Sequence, residues 1–427
     1  MHTSFMFLLI DLDGTLTDTA HEKFKPYKDG LEETNVADIP LIEGAKEFII
    51  RAKSNGHKPI IISDSHPRYV NIIADKIFQL PSLSLADKPN SAKTTSYLKS
   101  TLNGEATPEN SIVIGDTWLD IELGRALNFP TILTTFYFAS SQENRDGIGQ
   151  NWKHIKSGPT FYAKDFYEIH NILNNPTQNL LAIEAIFKGA YSSKAVKFKT
   201  IKNSERFTAY RTLARQNAGQ CDKYAVADKY FEFHRADRSQ EVLKNLSDAI
   251  GYYIESVQNS MPSTLWDYFT YVSDKATTQP PNKLGELFSQ IQTNIPKANL
   301  IRWVEQIEGS IRNQKDYRSR RDFVDKHIFI DRNTNLSGKN IVVLDDQFTT
   351  GGTAYSICGK FIERGARNVL FITMFYLIST VECERACPKC GTKLQVKINR
   401  SRGTRFLSCV SPRYGGKGCG EFIENIF

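Results

Sequence analysis

Two stretches place paired carboxylates directly after a short apolar run. Residues 5–10, Phe-Met-Phe-Leu-Leu-Ile, lead straight into Asp11-Leu12-Asp13-Gly14-Thr15. Carboxylates two residues apart at the end of a buried strand suit phosphoryl transfer. Asp11 can attack phosphorus to form an aspartyl-phosphate; Asp13 can protonate the leaving group and later activate water. Gly14 lets the chain turn sharply after them. Residues 341–344, Ile-Val-Val-Leu, lead into Asp345-Asp346-Gln347-Phe348-Thr349-Thr350-Gly351-Gly352-Thr353 and then an expected helix over 354–364. Acids at a strand end, then hydroxyls and glycines at a helix start, are built to hold a phosphorylated sugar. The backbone of Gly351 and Gly352 and the hydroxyls of Thr349, Thr350 and Thr353 take the phosphate. Asp345 and Asp346 bind ribose hydroxyls or water on Mg²⁺. The plainer alternative, an ordinary strand–turn–helix, leaves the joint register of acid pair, double Thr and double Gly without a reason. A third cluster is sulfur: Cys387, Cys390, Cys409 and Cys419 in the pattern C-x₂-C-x₁₈-C-x₉-C. Four thiolates in two pairs suit tetrahedral Zn²⁺. In a tail as short as 383–427, bound metal would supply much of the folding free energy.

The elements that must carry these groups follow from pattern and length. A chain of 427 residues favours about three domains, and 40% hydrophobic residues suffice for real cores. The net charge of +7 is compatible with anionic ligands. No apolar run reaches the roughly 18 residues a membrane span needs, and the run at 5–10 is too short for a signal peptide. Seven cysteines, odd in number and crowded into the tail, indicate cytoplasmic thiols and a metal site rather than disulfides. Cys221 and Cys358 read as structural, and Cys383 as a spare ligand. In chain order we expect a helix over 43–55, a strand over 58–63, a long loop over 139–159, a strand and helix within 161–173 and a linker at 174–179. Beyond it come a helix over 180–189 and an edge strand over 194–200. The apolar stripe Val242, Leu243, Leu246, Ile250, Ile254, Val257 predicts a core helix. Strands follow at 267–272 and 368–377, and two more in the tail at 393–400 and 404–408.

The motif around Asp11 and Asp13 resembles that of the haloacid dehalogenase (HAD) superfamily of phosphatases, and three further motifs of that family stand in order. The resemblance implies that Ser63, closing the strand at 58–63, binds the transferring phosphoryl group. It implies that Lys88, in Asp87-Lys88-Pro89-Asn90, neutralises charge on the phosphoryl oxygens. In Ile112-Val113-Ile114-Gly115-Asp116-Thr117-Trp118-Leu119-Asp120, Asp116 would hold Mg²⁺ together with Asp11 and the Asp13 carbonyl, with Asp120 in support. The gaps from Asp13 to Ser63 and from Ser63 to Lys88 leave no room for a large cap domain. A decayed copy kept as scaffold is the alternative, but no catalytic position is missing.

The stretch 341–353 resembles the phosphoribosyl-pyrophosphate (PRPP) loop of type I phosphoribosyltransferases, departing at Gln347, where that family carries an apolar residue. Gln314 and the basic run Arg318, Arg320, Arg321 resemble the ComF-like branch. There an arginine, Arg320 among them, would clamp pyrophosphate; a solvated basic helix is the competing reading. A pyrophosphate loop is expected at 275–283. The tail resembles the zinc ribbons of type I topoisomerases. Its cations, with Phe406, Tyr414 and Phe422 between them, could track single-stranded nucleic acid; solvated charges on a structural ribbon are the alternative.

The expected architecture is α/β: two doubly wound, mainly parallel-sheet domains, at 1–175 (HAD-like, without a cap) and 180–382 (phosphoribosyltransferase-like), and a Cys₄ zinc ribbon at 383–427. The expected function is a bifunctional, cytoplasmic Mg²⁺ enzyme of nucleotide-like metabolism, acting on a phosphorylated sugar or nucleotide. The alternative is a nucleotide-sensing, nucleic-acid-associated effector of the retron-like antiphage kind, by analogy alone.

Overall fold

The computed structural model describes residues 5–19, 21–135, 152–216, 222–261, 263–274, 283–305, 307, 309–314, 316–380, 382–398, 405–414 and 416–425. The chain forms two compact units. One holds 1–176, 217–225 and 378–427; the other holds 177–216 and 226–377. The tail thus folds with the N-terminal segment.

In the first unit, β1 (Phe7–Ile10), β2 (Lys58–Ile62), β3 (Ser82–Leu83), β4 (Ser111–Gly115), β5 (Thr131–Thr134) and β6 (Phe161–Ala163) form one sheet. Its order is β3-β2-β1-β4-β5-β6 and every pair is parallel. Strands β1 and β4 are buried along their whole length, so they read as unbroken apolar runs. The chain winds outward from β1 to one edge and from β4 to the other. The sheet therefore reverses between β1 and β4, where open α/β sheets offer a crevice at their carboxyl ends. Asp11 and Asp116 are the first residues past those two strands. Around the sheet lie α1 (Ala45–Ser54), α2 (Pro67–Ile73), α3 (Ala92–Leu102), α4 (Trp118–Ala126) and α5 (Phe166–Asn174). Helix α1 buries Ala45, Phe48, Ile49 and Ala52 on one stripe. Helix α4 lies so close to the sheet that a Cβ on Gly124 would come within 2.2 Å of Thr131 Cγ2. Between β1 and β2 the described residues form only short helical turns and α1. Of the expected loop at 139–159, residues 139–151 lie outside the described residues. The rest is not all loop: a short helix, Trp152–Lys156, forms there because Ile155 has a core position to fill.

The second unit contains β7 (Val196–Asn203), β8 (Arg206–Thr212), β9 (Arg215–Gln216), β10 (Tyr268–Tyr271), β11 (Ile301–Trp303), β12 (Ile328–Ile330), β13 (Asn340–Phe348) and β14 (Asn368–Leu377). The main sheet runs β10-β13-β14-β8-β7, with β9 also on β14. All its pairs are parallel except the hairpin β7–β8. Strand β7 is the edge and opens with Val196 and Phe198 inward and Lys197 and Lys199 outward. Helices are α6 (Ala227–Phe233), α7 (Gln240–Ser260), α8 (Lys283–Gln290), α9 (Tyr317–His327) and α10 (Gly352–Glu363). The stripe Val242, Leu243, Leu246, Ile250, Ile254 on α7 is buried in the core.

One expectation is corrected here. The strand before the acid pair does not end at Leu344 but runs through the acids to Phe348. Pairing with β14 continues, Asp345 against Thr373 and Gln347 against Phe375, and the Phe348 ring stacks on Phe198 at 4.3 Å.

In the tail, β15 (Glu382–Ala386), β16 (Lys393–Ile398), β17 (Arg405–Ser408) and β18 (Ile423–Asn425) make an antiparallel sheet in chain order. Its approach is pinned to the first unit by the buried Arg125, whose guanidinium donates to Ser157 O and Ser379 O, both at 2.7 Å. No helix among the described residues is long and apolar enough to cross a membrane.

Candidate active sites

At the carboxyl ends of β1 and β4, Lys88 Nζ donates to Asp11 Oδ1 and Asp120 Oδ1, each at 2.6 Å. Its own backbone N–H is held by Asp64 Oδ1 at 2.9 Å. Burial alone would push the Lys88 ammonium down. The charges of Asp11, Asp120 and Asp64 outweigh that and hold it well above its ordinary value. The Asp11 carboxyl moves up as well, chiefly from burial, with Lys88 opposing and Asp120, Asp116 and Asp13 adding. Asp120 works in two directions. Its Oδ2 accepts from Thr117 N–H at 3.1 Å and Thr117 Oγ1 at 2.7 Å, capping α4, while Oδ1 faces Lys88. It fits because position 115 is glycine: a Cβ there would sit 2.3 Å from the Asp120 carboxyl carbon.

Oxygens of Asp11, Asp116 and Asp120 all lie within 4.8 Å of one another, and all three residues are buried. Clustered carboxylate oxygens are the donor set of a hard divalent cation, so these residues fit Mg²⁺. The Asp13 carboxylate faces elsewhere. It accepts from Thr19 Oγ1 at 2.7 Å, Ser65 Oγ at 2.8 Å and Tyr69 OH at 2.8 Å. Gly14, at φ +82°, makes the turn that follows. Ser63 is buried at the end of β2, its Oγ accepting from Ser65 N–H at 3.1 Å. Of these two serines, it is Ser65 whose hydroxyl bonds to Asp13. Sequence reasoning missed Thr19, Ser65 and Tyr69. The available signal was Ser65 two residues past a strand-ending serine, with Tyr69 one helical turn further on.

In the second unit, Asp345 is buried and its Oδ1 accepts from Asp346 N–H at 2.9 Å. Burial first, and the charge of Asp346 second, push its carboxyl well above the ordinary range. Asp274, beyond β10, is also raised, by burial and by Asp346, with His234 and Lys283 pulling the other way. His234 Nε2 stands 3.3 Å from Asp346 Oδ2. Burial draws the Arg320 guanidinium down, while Asp345 and Asp346 draw it back. Of the three arginines singled out on α9, Arg320 is the one in the field of the acids. Arg321 is engaged with Asp322 at 3.1 Å, and Arg318 is exposed. Arg320 Nε donates to Gln314 O at 2.9 Å. Gln347 has a structural reason: its amide donates to Gln216 Oε1 at 2.5 Å. The neighbouring Arg215 is clamped by Glu184 through its backbone N–H and Nε at 2.9 Å and Nη2 at 3.0 Å.

The loop itself is short. Thr349 and Thr350 lead to Gly351, at φ +82°, which starts α10; Gly352 and Thr353 form its first turn. A Cβ on Gly352 would meet Tyr317 O at 2.6 Å, so glycine admits the start of α9 here. Among the described residues, Thr350 Oγ1 and His234 Nε2 are buried and make no hydrogen bond. Of the expected pyrophosphate loop, 275–282 lie outside the described residues, and Lys283 opens α8.

In the tail, Sγ–Sγ distances are 3.8 Å for Cys387–Cys419, 3.5 Å for Cys390–Cys409 and 3.7 Å for Cys409–Cys419. A tetrahedron of sulfurs about 2.3 Å from zinc has edges of about 3.8 Å, so the four thiols fit Zn²⁺. Hydrogen bonds from Thr392 lower the Cys390 thiol to about 6. Gly418 makes room, since a Cβ there would lie 2.1 Å from Cys409 Sγ. Cys221 lies outside the described residues, as does the Cys383 side chain. Of the tail's cations, Arg385 pairs with Glu424 and Lys389 with Glu421, and Lys393 donates to Asn90. Arg400 and Arg402 lie outside the described residues, with the side chains of Arg405 and Tyr414.

No protein-family model matches the chain, and no curated protein matches it. Solved structures do match in part. One described as a predicted phosphatase from Clostridium acetobutylicum is 17% identical, with TM-score 0.31, covering 40% of this chain and 98% of its own. A hydrolase from Pseudomonas syringae has the same identity, TM-score and coverages. A haloacid dehalogenase-like family hydrolase from Streptococcus pneumoniae is 16% identical, with TM-score 0.30, over 40% of this chain and 98% of its own.

Proposed function

We propose that the first unit is a Mg²⁺-dependent phosphomonoester hydrolase working through an aspartyl-phosphate. The observation that carries this reading is the buried Lys88 ammonium held at 2.6 Å from both Asp11 and Asp120. Asp11 is the nucleophile. Its carboxylate forms the bond to phosphorus as the bond to the ester oxygen breaks, and Asp13 delivers the proton to that oxygen. Water then cleaves the aspartyl-phosphate, with Asp13 accepting its proton. Thr19, Ser65 and Tyr69 aim the Asp13 carboxylate, and Ser63 lines the phosphoryl position. Lys88 neutralises charge building on the phosphoryl oxygens. Mg²⁺, held by Asp11, Asp116 and the Asp13 carbonyl with Asp120 behind, would supply further electrostatic stabilisation. The test is hydrolysis of p-nitrophenyl phosphate with and without Mg²⁺. Activity that survives Asp11→Asn would defeat the reading.

We further propose that the second unit binds a phosphorylated ribose such as PRPP and transfers its phosphoribosyl group. The observation favouring this is that, around the acid pair, Thr350 Oγ1 and His234 Nε2 are buried and make no hydrogen bond among the described residues. Native proteins leave few such groups unsatisfied, so a polar ligand is the natural partner. Asp345 and Asp346 would take the ribose hydroxyls, the segment from Thr349 to Thr353 its 5′-phosphate, and Arg320 the pyrophosphate. Calorimetric titration of PRPP into the protein with Mg²⁺, against Asp345→Asn/Asp346→Asn, tests it. Free thiols suit a cytoplasmic setting. A single-strand-binding role for the ribbon is tested by the salt dependence of oligonucleotide binding; no binding at low salt excludes it.

A further inference from the structure

His234 belongs to a polar stretch with Arg235 and Arg238 for which the sequence offers no role. In the fold it ends α6 and meets the acid pair, with Nε2 3.3 Å from Asp346 Oδ2. That approach is close but not aligned as a hydrogen bond, and Nε2 makes none among the described residues. The ring is held edge-on between Tyr230, at 4.6 Å between centroids, and Phe233, at 5.0 Å. Its backbone carbonyl accepts from Lys283 Nζ at the start of α8. Position and orientation are thus determined from both sides, while the nitrogen beside Asp346 makes no hydrogen bond among the described residues. A buried imidazole nitrogen costs free energy when nothing pairs with it. The expense is explained if a ligand atom completes the set.

We infer that His234, beside Asp346, is a catalytic base of the second site, taking the proton from a nitrogen nucleophile that attacks C1′ of the bound phosphoribosyl group. The inference rests on the phosphoribosyl reading proposed above. In the step, the lone pair of an N–H acceptor, a nucleobase or amine, forms the bond to C1′. The bond from C1′ to the pyrophosphate oxygen breaks, and pyrophosphate leaves with that electron pair. The acceptor proton passes to His234 Nε2, where Asp346 stabilises the imidazolium. An imidazole with a carboxylate close by is the usual pairing for proton transfer near neutral pH. The charged groups converging here from the neighbouring elements are Asp345 and Asp346 on β13, Asp274 beyond β10, Lys283 on α8 and Arg320 on α9. Arg320 and Lys283 bring positive charge for the departing pyrophosphate.

The experiment uses the full-length protein with Mg²⁺ and PRPP, and an equimolar pool of nucleobases and primary amines as acceptors. Pyrophosphate release and PRPP affinity are measured separately for wild type, His234→Gln and His234→Ala. The expected result is PRPP affinity within about threefold of wild type, with release slowed on the order of 10²–10⁴-fold. The acid limb of the rate–pH profile should flatten in His234→Gln, and added imidazole should restore part of the rate to His234→Ala. Wild-type release that is unchanged in both variants overturns the inference, as does PRPP that binds wild type without any release. A slowed His234→Ala that imidazole does not rescue, with a pH profile unmoved in His234→Gln, also overturns it, because the ring then only packs. If PRPP does not bind wild type at all, the phosphoribosyl reading itself falls, an outcome distinct from the others. Thermal midpoints within about 2 °C of wild type establish that the variants fold.

Discussion

The two candidate sites both bury a carboxylate at the end of a central parallel strand, yet they meet its charge differently. Asp11 has an ammonium 2.6 Å away, and that ammonium is itself held by Asp120 and flanked by Asp64. The charges acting most strongly on Asp345 are those of Asp346 and Asp274, both negative, and Arg320 stands beyond ion-pair distance. In the first site Asp11 has a cationic partner in place before anything binds. In the second the strongest charges on Asp345 are negative, and among the described residues Thr350 Oγ1 and His234 Nε2 make no hydrogen bond. A preorganised site spends little on reorganisation when charge develops. A site short of partners spends stability to gain affinity for whatever supplies them.

The contrast breaks first at Lys88. Lys88→Met should lower phosphatase turnover by about 10²–10³-fold, the scale of losing one preorganised charge on a phosphoryl group. Steady-state kinetics with p-nitrophenyl phosphate reads it. A loss under tenfold would mean that Lys88 is merely structural. The same change should leave PRPP affinity of the second site unaltered.

The scaffold behind the second site should yield next. Glu184→Leu leaves the Arg215 guanidinium, 1% exposed, without its carboxylate. Breaking a buried pair from one side costs about 3–5 kcal/mol. Because Gln216 is next in the chain and holds Gln347, PRPP affinity should fall with stability. Urea unfolding followed by far-ultraviolet circular dichroism measures the first effect, and calorimetry the second.

How much of this could be read beforehand depended on where a group's signal lay. Asp11, Lys88, Asp116 and Asp120 announce themselves because each stands at a strand end or in a short motif whose chemistry needs that residue type. Thr19, Ser65 and Tyr69 do not: a hydroxyl gripping Asp13 looks in sequence like any other surface hydroxyl, and its role exists only once α2 folds back. The parallel sheet of the first unit was legible from its buried apolar runs. The hairpin partner β8 was not, because Arg206-Phe207-Thr208-Ala209-Tyr210-Arg211-Thr212 mixes charge with apolar residues. Its burial comes from β14 on one side and β7 on the other. The end of β13 was misplaced for a related reason. Acids suggest a loop, yet backbone pairing with β14 does not depend on side-chain polarity. His234 was the least legible, since nothing local ties residue 234 to residue 346.

A finer probe is glycine 352. Gly352→Ala puts a methyl group 2.6 Å from Tyr317 O, which is backbone and cannot swing aside. Such overpacking costs about 1–3 kcal/mol. Moving α9 away from the loop should also carry Arg320 off, weakening PRPP more than ribose 5-phosphate, which lacks pyrophosphate. Equal weakening of both would remove Arg320 from the pyrophosphate role.

The smallest effect tests the difference in charge balance itself. The Asp345 carboxyl is raised above its unfolded value, so the folded protein binds that proton more readily. The group then favours folding at low pH, and the advantage is lost as pH rises through its folded value. At neutral pH the unfolded wild type has given up that proton, so folding must either take one up or bury the charge, and Asp345→Asn does neither. The variant should be the more stable protein at pH 7. Its margin should shrink as pH falls through the carboxylate range and vanish below it, where wild type is protonated in both states. Asp11→Asn should gain less, although Asp11 is raised too, because it strips Lys88 of one of its two carboxylates. Thermal melts of the three proteins across pH 4–8 decide the matter. If Asp11→Asn stabilises as much as Asp345→Asn, then Lys88 does not balance the first site, and the contrast between the two sites dissolves.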